Sequence, residues 1–199
     1  GEPIFDKFFK KRNFKKINNK KISVLIVPTS FNSISTQKFR EKSLQLICKT
    51  VSKNNEYHAA LKIHPSSQDL SYYKKVLKDI DEPFLIYSKG GVESYVESCD
   101  VFVTFTRFTS AMIYPLILRK PVLICNFFND RLPDYIEQIA FVCNSPSELS
   151  NSIMNALKTN HTKYENIDKY LKHACFKTDG LASTRICDSI ISMMEKKSN

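Results

Sequence analysis

Short apolar runs alternate with longer amphipathic stretches along most of the chain. Short apolar runs are typical of buried strands, and apolar residues three or four positions apart are typical of helices packed on a sheet. The pattern predicts strands at 21–28, 57–63, 84–87, 100–104, 121–125 and 140–144, and helices at 35–53, 68–80, 92–99, 147–158, 163–173 and 180–196, with a short one opening at 109. Strands that alternate with helices form parallel sheets through crossover connections. The predicted fold class is therefore α/β, a Rossmann-like parallel sheet with helices on both faces.

The stretch 100–129 contains a candidate anion site. An apolar strand is followed by Thr109 and Ser110, a short apolar helix and a second apolar strand. A helix that begins at the carboxyl end of a parallel strand points free backbone N–H groups into the ligand crevice of such sheets. Capping of the helix alone would also explain the two hydroxyls. Arg107, just upstream, is a candidate to pair with a pyrophosphate or is an ordinary solvated arginine.

His64 is the second candidate, because it closes a predicted strand and is followed by Pro65, which turns the chain away. An imidazole in the crevice can donate to a phosphate oxygen or act as an acid on a leaving group. A structural histidine bonded to a loop carbonyl is the alternative. The chain contains no GxGxxG and no GxxxxGK[ST] motif, and the pair Gly90-Gly91 is too short for a dinucleotide fingerprint. Dehydrogenase and P-loop interpretations are therefore weak.

The charge of the chain is concentrated near its start. The formal net charge is +10, and eight Lys or Arg residues lie within 7–21 without an acid among them. This basic segment fits a solvated linker face, peripheral contact with an anionic membrane surface, or nucleic-acid binding, which is the least favoured of the three. Phe5, Phe8, Phe9 and Phe14 are interleaved with these cations. Their spacing favours an amphipathic helix that packs on a domain.

The six cysteines form no CxxC pair and have no histidine at zinc-finger spacing, so we expect neither a metal ion nor another cofactor. Cysteines in apolar runs indicate a reducing compartment, and we expect a cytoplasmic protein, with or without membrane association. The hydrophobic content of 42% supports a sizeable core. The chain opens on Gly1-Glu2-Pro3, from which we expect it to be part of a longer protein.

Several short motifs occur together in one order. They are Gly1-x-Pro3-x-x-Asp6, Lys62-x-His64-Pro65, the strand 99–104, Thr109-Ser110, Lys120-Pro121-Val122 and Asp179-Gly180-x-Ala182-Ser183-x-Arg185-Ile186. In this order the chain resembles the C-terminal half of GT-B-fold enzymes, and it is most similar to the CDP-glycerol glycerophosphotransferase and surface-polysaccharide transferase group. UDP-N-acetylglucosamine 2-epimerases are more distant relatives.

The resemblance implies that segment 1–21 is the crossing from a missing N-terminal GT-B domain together with a basic linker helix, and that 22–199 is a nucleotide-binding domain. It implies a UDP- or CDP-activated sugar or polyol phosphate as ligand. His64, Thr109 and Ser110 would lie near the diphosphate. Lys89, Gly90 and Gly91 would lie near the base, and Arg185 near the phosphates or the domain interface. The implied activity is transfer to a hydroxyl acceptor in surface polysaccharide or glycan biosynthesis.

One position departs from the family pattern. The family usually places an acid four residues after the second hydroxyl of the pair, where it holds the ribose, and this chain has Tyr114 there. Two alternatives to the transferase therefore stay open: an epimerase-like enzyme domain and a non-catalytic scaffold that keeps the GT-B fold. We expect the connection between the strands 121–125 and 140–144 to be irregular, and its part at 127–133 matches the epimerase pattern poorly.

Overall fold

A computed structural model describes residues 2–11, 21–28, 34–64, 70–80, 85–105 and 109–197. Its strands are β1 Ile22–Ile26, β2 Tyr57–Lys62, β3 Leu85–Tyr87, β4 Val101–Thr104, β5 Val122–Cys125 and β6 Phe141–Cys143. Its α-helices are α1 Asp6–Lys10, α2 Ile34–Ser52, α3 Leu70–Val76, α4 Glu93–Val96, α5 Ile113–Ile117, α6 Ile136–Ile139, α7 Leu149–Thr159, α8 Tyr164–Cys175 and α9 Ala182–Lys197. Short 3₁₀ turns lie at Pro3–Phe5, Ser110–Met112, Pro146–Glu148 and Asn160–Lys163.

The described strands form one six-stranded sheet in the order β3-β2-β1-β4-β5-β6, and every neighbouring pair is parallel. Strands β4 and β5 are buried at every position, as expected for central strands covered on both faces. The predicted fold class is confirmed. The strand order reverses direction between β1 and β4, which are hydrogen-bonded neighbours. The carboxyl ends of these two strands therefore flank the crevice in which open α/β sheets bind ligands.

Alternate side chains of the strands enter two separate cores. Val24 and Ile26 of β1 face the core that α2, α3 and α7 cover, whereas Leu25 faces the core that α4, α5 and α8 cover. This division follows from the two-residue period of a strand. The second core also contains Phe5 and Phe8, which are 3% and 0% exposed, so the segment around α1 packs on the sheet domain.

Three predicted elements differ from the structure. The segment after β5, expected to be irregular, includes α6, because Ile136 and Ile139 lie three residues apart and both are buried. The helix predicted over 92–99 is limited to the single turn of α4. The helix expected to open at Thr109 begins instead with the 3₁₀ turn Ser110–Met112 before α5. The basic linker helix is described only as far as α1, since residues 12–20 lie outside the described ranges.

Candidate functional site

The end of β2 carries His64 on the carboxyl edge of the sheet. His64 is exposed, and it follows Ile63, whose backbone N–H donates to the Tyr87 carbonyl over 3.1 Å. This bond extends the β2–β3 pairing to the last residue before His64. His64 therefore lies one residue beyond the β2–β3 pairing, at the carboxyl edge where ligands of such sheets bind.

The loop after β3 contains Lys89, Gly90 and Gly91. Gly90 has φ +72°, a conformation that a glycine adopts without strain. The hydroxyl of Tyr95 donates to the Lys89 carbonyl over 3.1 Å, and its ring stacks on Tyr87 with centroids 4.3 Å apart. These contacts anchor the loop to α4 and to β3. Lys89 itself is exposed.

Gly91 lies directly against the carboxylate of Glu93. A Cβ at position 91 would lie 2.0 Å from one carboxylate oxygen of Glu93, so any side chain there would force the carboxylate away. Glu93 opens α4 and is half-buried. The glycine pair therefore shapes a turn that brings a carboxylate to the carboxyl edge of the sheet, a feature that the sequence alone did not indicate.

The loop after β4 ends in the hydroxyl pair. The Thr109 side chain accepts a hydrogen bond from the Ala111 backbone N–H over 3.4 Å, which confirms it as a cap, and Ser110 is exposed. Thr104, the last residue of β4, is fully buried, and its hydroxyl has no hydrogen-bond partner within the described ranges. Arg107 lies outside the described residues.

Tyr114 occupies the position where the resemblance leads one to expect an acid. Its ring makes edge-to-face contacts with Phe5 and Phe8, each with centroids 5.1 Å apart, and it is 7% exposed. Burial raises the pKa of the Tyr114 phenol, and the nearby carboxylates of Glu93 and Glu2 raise it further. Tyr114 therefore joins α5 to the first helix, and the carboxylates near it belong to Glu93 and Glu2.

Lys120 has a structural role in the Lys120-Pro121 motif. Its ammonium donates to the carbonyls of Glu97 and Cys99 over 2.7 and 2.5 Å. These carbonyls follow the end of α4, where a cation satisfies orphan acceptors and the negative end of the helix dipole. The motif thus fixes the amino end of β5 to the connection between α4 and β4.

The first and last motifs of the chain meet in the structure. Asp6 accepts hydrogen bonds from the backbone N–H groups of Ala182 and Ser183 over 2.9 and 2.8 Å, and from the Ser183 hydroxyl over 2.7 Å. Asp6 therefore caps α9 from a distant part of the chain. The sequence contained both motifs and gave no signal that they pair.

Arg185 lies in the first turns of α9 and forms a two-bond ion pair with Asp179, at 2.9 and 2.8 Å. Its other terminal nitrogen, Nη2, is buried without a hydrogen-bond partner among the described residues. Arg185 is thus placed beside the Asp6 cap of α9. The other predicted site residues lie elsewhere, after the carboxyl ends of strands. His64 follows β2, the glycine loop (residues 89–91) follows β3, and Thr109 comes after β4. Only β1 separates β2 from β4 in the sheet.

Replacing Gly180 by alanine is expected to lower the free energy of unfolding by about 1–3 kcal/mol. Gly180 has φ +70°, and an added Cβ would lie 2.9 Å from the Asp6 carbonyl oxygen and 3.1 Å from Cγ of Lys10. Urea denaturation measures the loss. Gly90→Ala is the matched control, because φ there is also positive while the nearest atom is 4.0 Å away. Equal losses in both variants would contradict the contact between Gly180 and the first helix.

Acid should weaken the attachment of α9. Hydrogen bonds from the Ser183 backbone and side chain, and from Ala182, hold the pKa of the Asp6 carboxyl below its ordinary value of 3.8. A lowered pKa in the folded state stabilises the fold above the ordinary value, and this stabilisation disappears as the pH falls through the lowered pKa. Unfolding followed from pH 6 to pH 2.5 should therefore show a smaller loss in Asp6→Asn than in the wild type. Asp134→Asn, at an exposed position, should behave like the wild type.

The basic segment is described only at its two ends. Lys11 forms an ion pair with Glu97 at 2.9 Å, and the Lys7 ammonium lies 4.8 Å from the centroid of the Phe8 ring. Both cations are thereby drawn toward the sheet domain. Whether the segment contacts a membrane surface stays a prediction.

An open cleft of about 600 Å³ lies away from these residues. It is lined by Lys49, Thr50, Lys53, Asn54, Asn55, Pro146, Ser147 and Ser150, which belong to the end of α2, the loop before β2 and the approach to α7. None of the predicted site residues takes part in it. Within the described ranges, no group of three or more metal-binding side chains is found. No described helix has both the length and the apolar character to cross a bilayer.

Comparison with known proteins identifies the fold. No protein-family model and no curated protein matches the sequence. Solved structures do match, and the wall teichoic acid polymerase TagF aligns over 100% of this chain with a TM-score of 0.64 and 18% identity. The domain has a GT-B Rossmann-like fold. A putative UDP-N-acetylglucosamine 2-epimerase from Listeria monocytogenes aligns over 98% of the chain, with a TM-score of 0.56 and 14% identity.

A third match is a mutant of S. aureus TarM in complex with fondaparinux, α-GlcNAc-glycerol and UDP, over 87% of this chain with a TM-score of 0.53 and 14% identity. This chain covers 52% of the TagF chain, 53% of the epimerase chain and 38% of the TarM chain. The likeness to GT-B enzymes is thereby confirmed for the fold, and the GT-B Rossmann-like domain spans about half of TagF.

Proposed function

We propose that this GT-B domain is the donor-nucleotide-binding half of a glycosyl- or polyol-phosphate transferase. The observation that carries the proposal is the grouping of His64, the glycine loop and Thr109 on the carboxyl edge, around the point where the strand order reverses. Ligands of open α/β sheets bind at this point. The likeness to a wall teichoic acid polymerase agrees with this class of reaction.

The donor in this proposal is a UDP- or CDP-activated sugar or polyol phosphate. His64 donates to a phosphate oxygen of the donor and assists departure of the nucleotide diphosphate. Backbone N–H groups at Thr109 and Ser110, with Arg107, stabilise the charge that develops on the leaving group. Lys89, Gly90 and Gly91 contact the base. The base that activates the acceptor hydroxyl comes from the other half of the enzyme.

An N-terminal GT-B domain is the proposed partner. Helix α9 carries Ile186, Ile190 and Met193 at spacings of four and three residues, and they are 43%, 51% and 65% exposed. An exposed apolar stripe of this kind marks an interaction surface. Arg185, one residue from the start of the stripe, would lie at the interface in this arrangement. The product would enter surface polysaccharide or glycan biosynthesis in the cytoplasm.

A scaffold without catalytic activity is the second candidate. The observation that favours it is Tyr114, whose ring is packed between Phe5 and Phe8 where the related enzymes usually hold the ribose with an acid. The epimerase-like alternative is favoured by the match to the Listeria structure. These candidates differ in the ligand they require.

An NMR titration of the chain with UDP, CDP, CMP and GDP tests the proposal. Shifts confined to His64, 88–91, Arg107, Thr109 and Ser110 are expected, with a nucleoside diphosphate binding more tightly than a monophosphate. The preferred base then names the donor class. Absence of shifts at millimolar concentration of every nucleotide would contradict donor binding by this domain and favour the scaffold.

A further inference from the structure

Lys62 is a buried cation at the end of β2. The residue is 1% exposed, and its ammonium donates to the Ile63 carbonyl over 2.7 Å. Lys62 forms no ion pair among the described residues, although the Glu93 carboxylate lies near enough to act on its charge, and its Nζ lies 5.9 Å from the centroid of the Tyr95 ring. Burial of a charge without a counter-ion costs free energy, so a hydrophobic side chain of similar length would suit this place better for stability alone.

The contacts of Lys62 reach both loops of the candidate site. The Ile63 carbonyl, which accepts the ammonium hydrogen bond, immediately precedes His64. Tyr95, whose ring lies near the ammonium, holds the loop after β3 through its hydrogen bond to the Lys89 carbonyl. One buried cation thus lies between the strand end that carries His64 and the turn that contains Gly90 and Gly91.

We propose that Lys62 is the positioning residue of this site, which holds His64 and the glycine loop in one arrangement and supplies a fixed positive charge beneath the bound diphosphate. The inference rests on the proposed function for its ligand. Lys62 does not touch the ligand in this account, because its side chain is buried. It acts through its contacts with the Ile63 carbonyl and Tyr95, which hold the two loops. It also acts through the electrostatic field of its charge, which is stronger at a desolvated position than in water.

The charge of Lys62 makes nucleotide binding depend on pH. Burial lowers the pKa of the Lys62 ammonium, and Glu93 opposes this shift. A lysine with a lowered pKa loses its charge at a lower pH than an ordinary lysine as the pH rises. The groups that face it are Glu93 and Tyr95 from α4, with Tyr87 from β3 and Tyr114 from α5 next to these. The pH profile must therefore be compared with that of a Lys62 variant, which lacks the ammonium and keeps these neighbouring groups.

Lys62→Met tests the proposal, with Lys120→Met as the matched control. Lys120 also donates to backbone carbonyls, but it caps α4 and should serve stability only.

Lys62→Met should keep or raise the melting temperature and weaken CDP binding about tenfold, while CMP binding weakens less. Amide resonances of 63–64 and 88–91 should shift in this variant. Binding should also become less sensitive to a rise in pH above neutrality than in the wild type. Lys120→Met should lower the melting temperature and leave the ratio of CDP to CMP affinity unchanged.

The outcomes separate this inference from the proposed function. If the wild type binds CDP or UDP and Lys62→Met binds with the same affinity and the same preference over the monophosphate, the inference is overturned and the function stands. If the wild type binds no nucleotide, the proposed function fails. If, in addition, Lys62→Met melts at a lower temperature than the wild type and its amide resonances at 63–64 and 88–91 do not shift, the positioning role is overturned as well. Should Lys62→Met fail to fold, Lys62→Gln and the wild-type pH profile provide the same comparison.

Discussion

Replacing His64 by alanine is expected to weaken binding of the donor nucleotide diphosphate by about 1–3 kcal/mol, the size of a lost hydrogen bond to a charged group. His64 is exposed at the carboxyl end of β2, where the β2–β3 pairing continues to Ile63. The ligand phosphate would lose one donor, whereas both hydrophobic cores would stay intact, because His64 belongs to neither. Isothermal titration calorimetry with CDP and UDP measures the change.

His58→Ala is the control for this prediction. His58 lies on the same strand and is also exposed, but it pairs with Ser23 near the amino end of the sheet. Its replacement should leave nucleotide affinity unchanged. Equal affinity of the wild type and His64→Ala would remove His64 from the site, and equal losses in both variants would indicate a general effect on the fold. His64→Gln, which keeps a side-chain donor, should recover part of the affinity.

Replacing Phe8 by alanine should lower the free energy of unfolding by about 3–5 kcal/mol, the usual cost of removing a buried phenylalanine ring. Phe8 is 0% exposed, and its ring contacts Tyr114 of α5 with centroids 5.1 Å apart. Its removal leaves a cavity between α1 and the core of the sheet domain. Urea denaturation followed by circular dichroism measures the loss.

Phe9→Ala is the neighbouring control, because Phe9 is only partly buried beside the same core. Its loss should be clearly smaller than that of Phe8→Ala. A loss below 1 kcal/mol for Phe8→Ala would contradict the packing of the first helix on this domain. It would then favour the interpretation in which the whole segment 1–21 is a linker between domains.

The predicted sheet was correct because each strand can be recognised from the apolar residues of its own short segment. Val101–Thr104 and Val122–Cys125 are continuous apolar runs, and such runs fit only strands covered on both faces. The positions of the candidate site residues were predicted in the same way. Once a strand is predicted to end at residue 63, His64 is expected at the carboxyl edge of the sheet. Helix α6 was missed because two apolar residues, Ile136 and Ile139, are too few to show a helical period.

Contacts between distant residues were beyond the reach of these patterns. Asp6 and Ser183 are separated by nearly the whole chain, and nothing local indicates that one caps the helix that contains the other. Arg185 and Asp179 are only six residues apart, but their pairing became visible only with the geometry at the start of α9. Glu93 likewise was not recognised as the carboxylate beside Tyr114, because the turn at Gly91 brings it there.

By itself, the sequence determined the order of strands and helices, the parallel sheet, and the polar residues that end β2, β3 and β4, because each depends on the periodicity and composition of a short segment. The tertiary structure alone decided the reversal of strand order between β1 and β4. It also decided the burial of Lys62 and the attachment of the first helix to α5 and α9. These features depend on how distant segments pack against each other. The free energy of that packing cannot be derived from the residue pattern of any single segment.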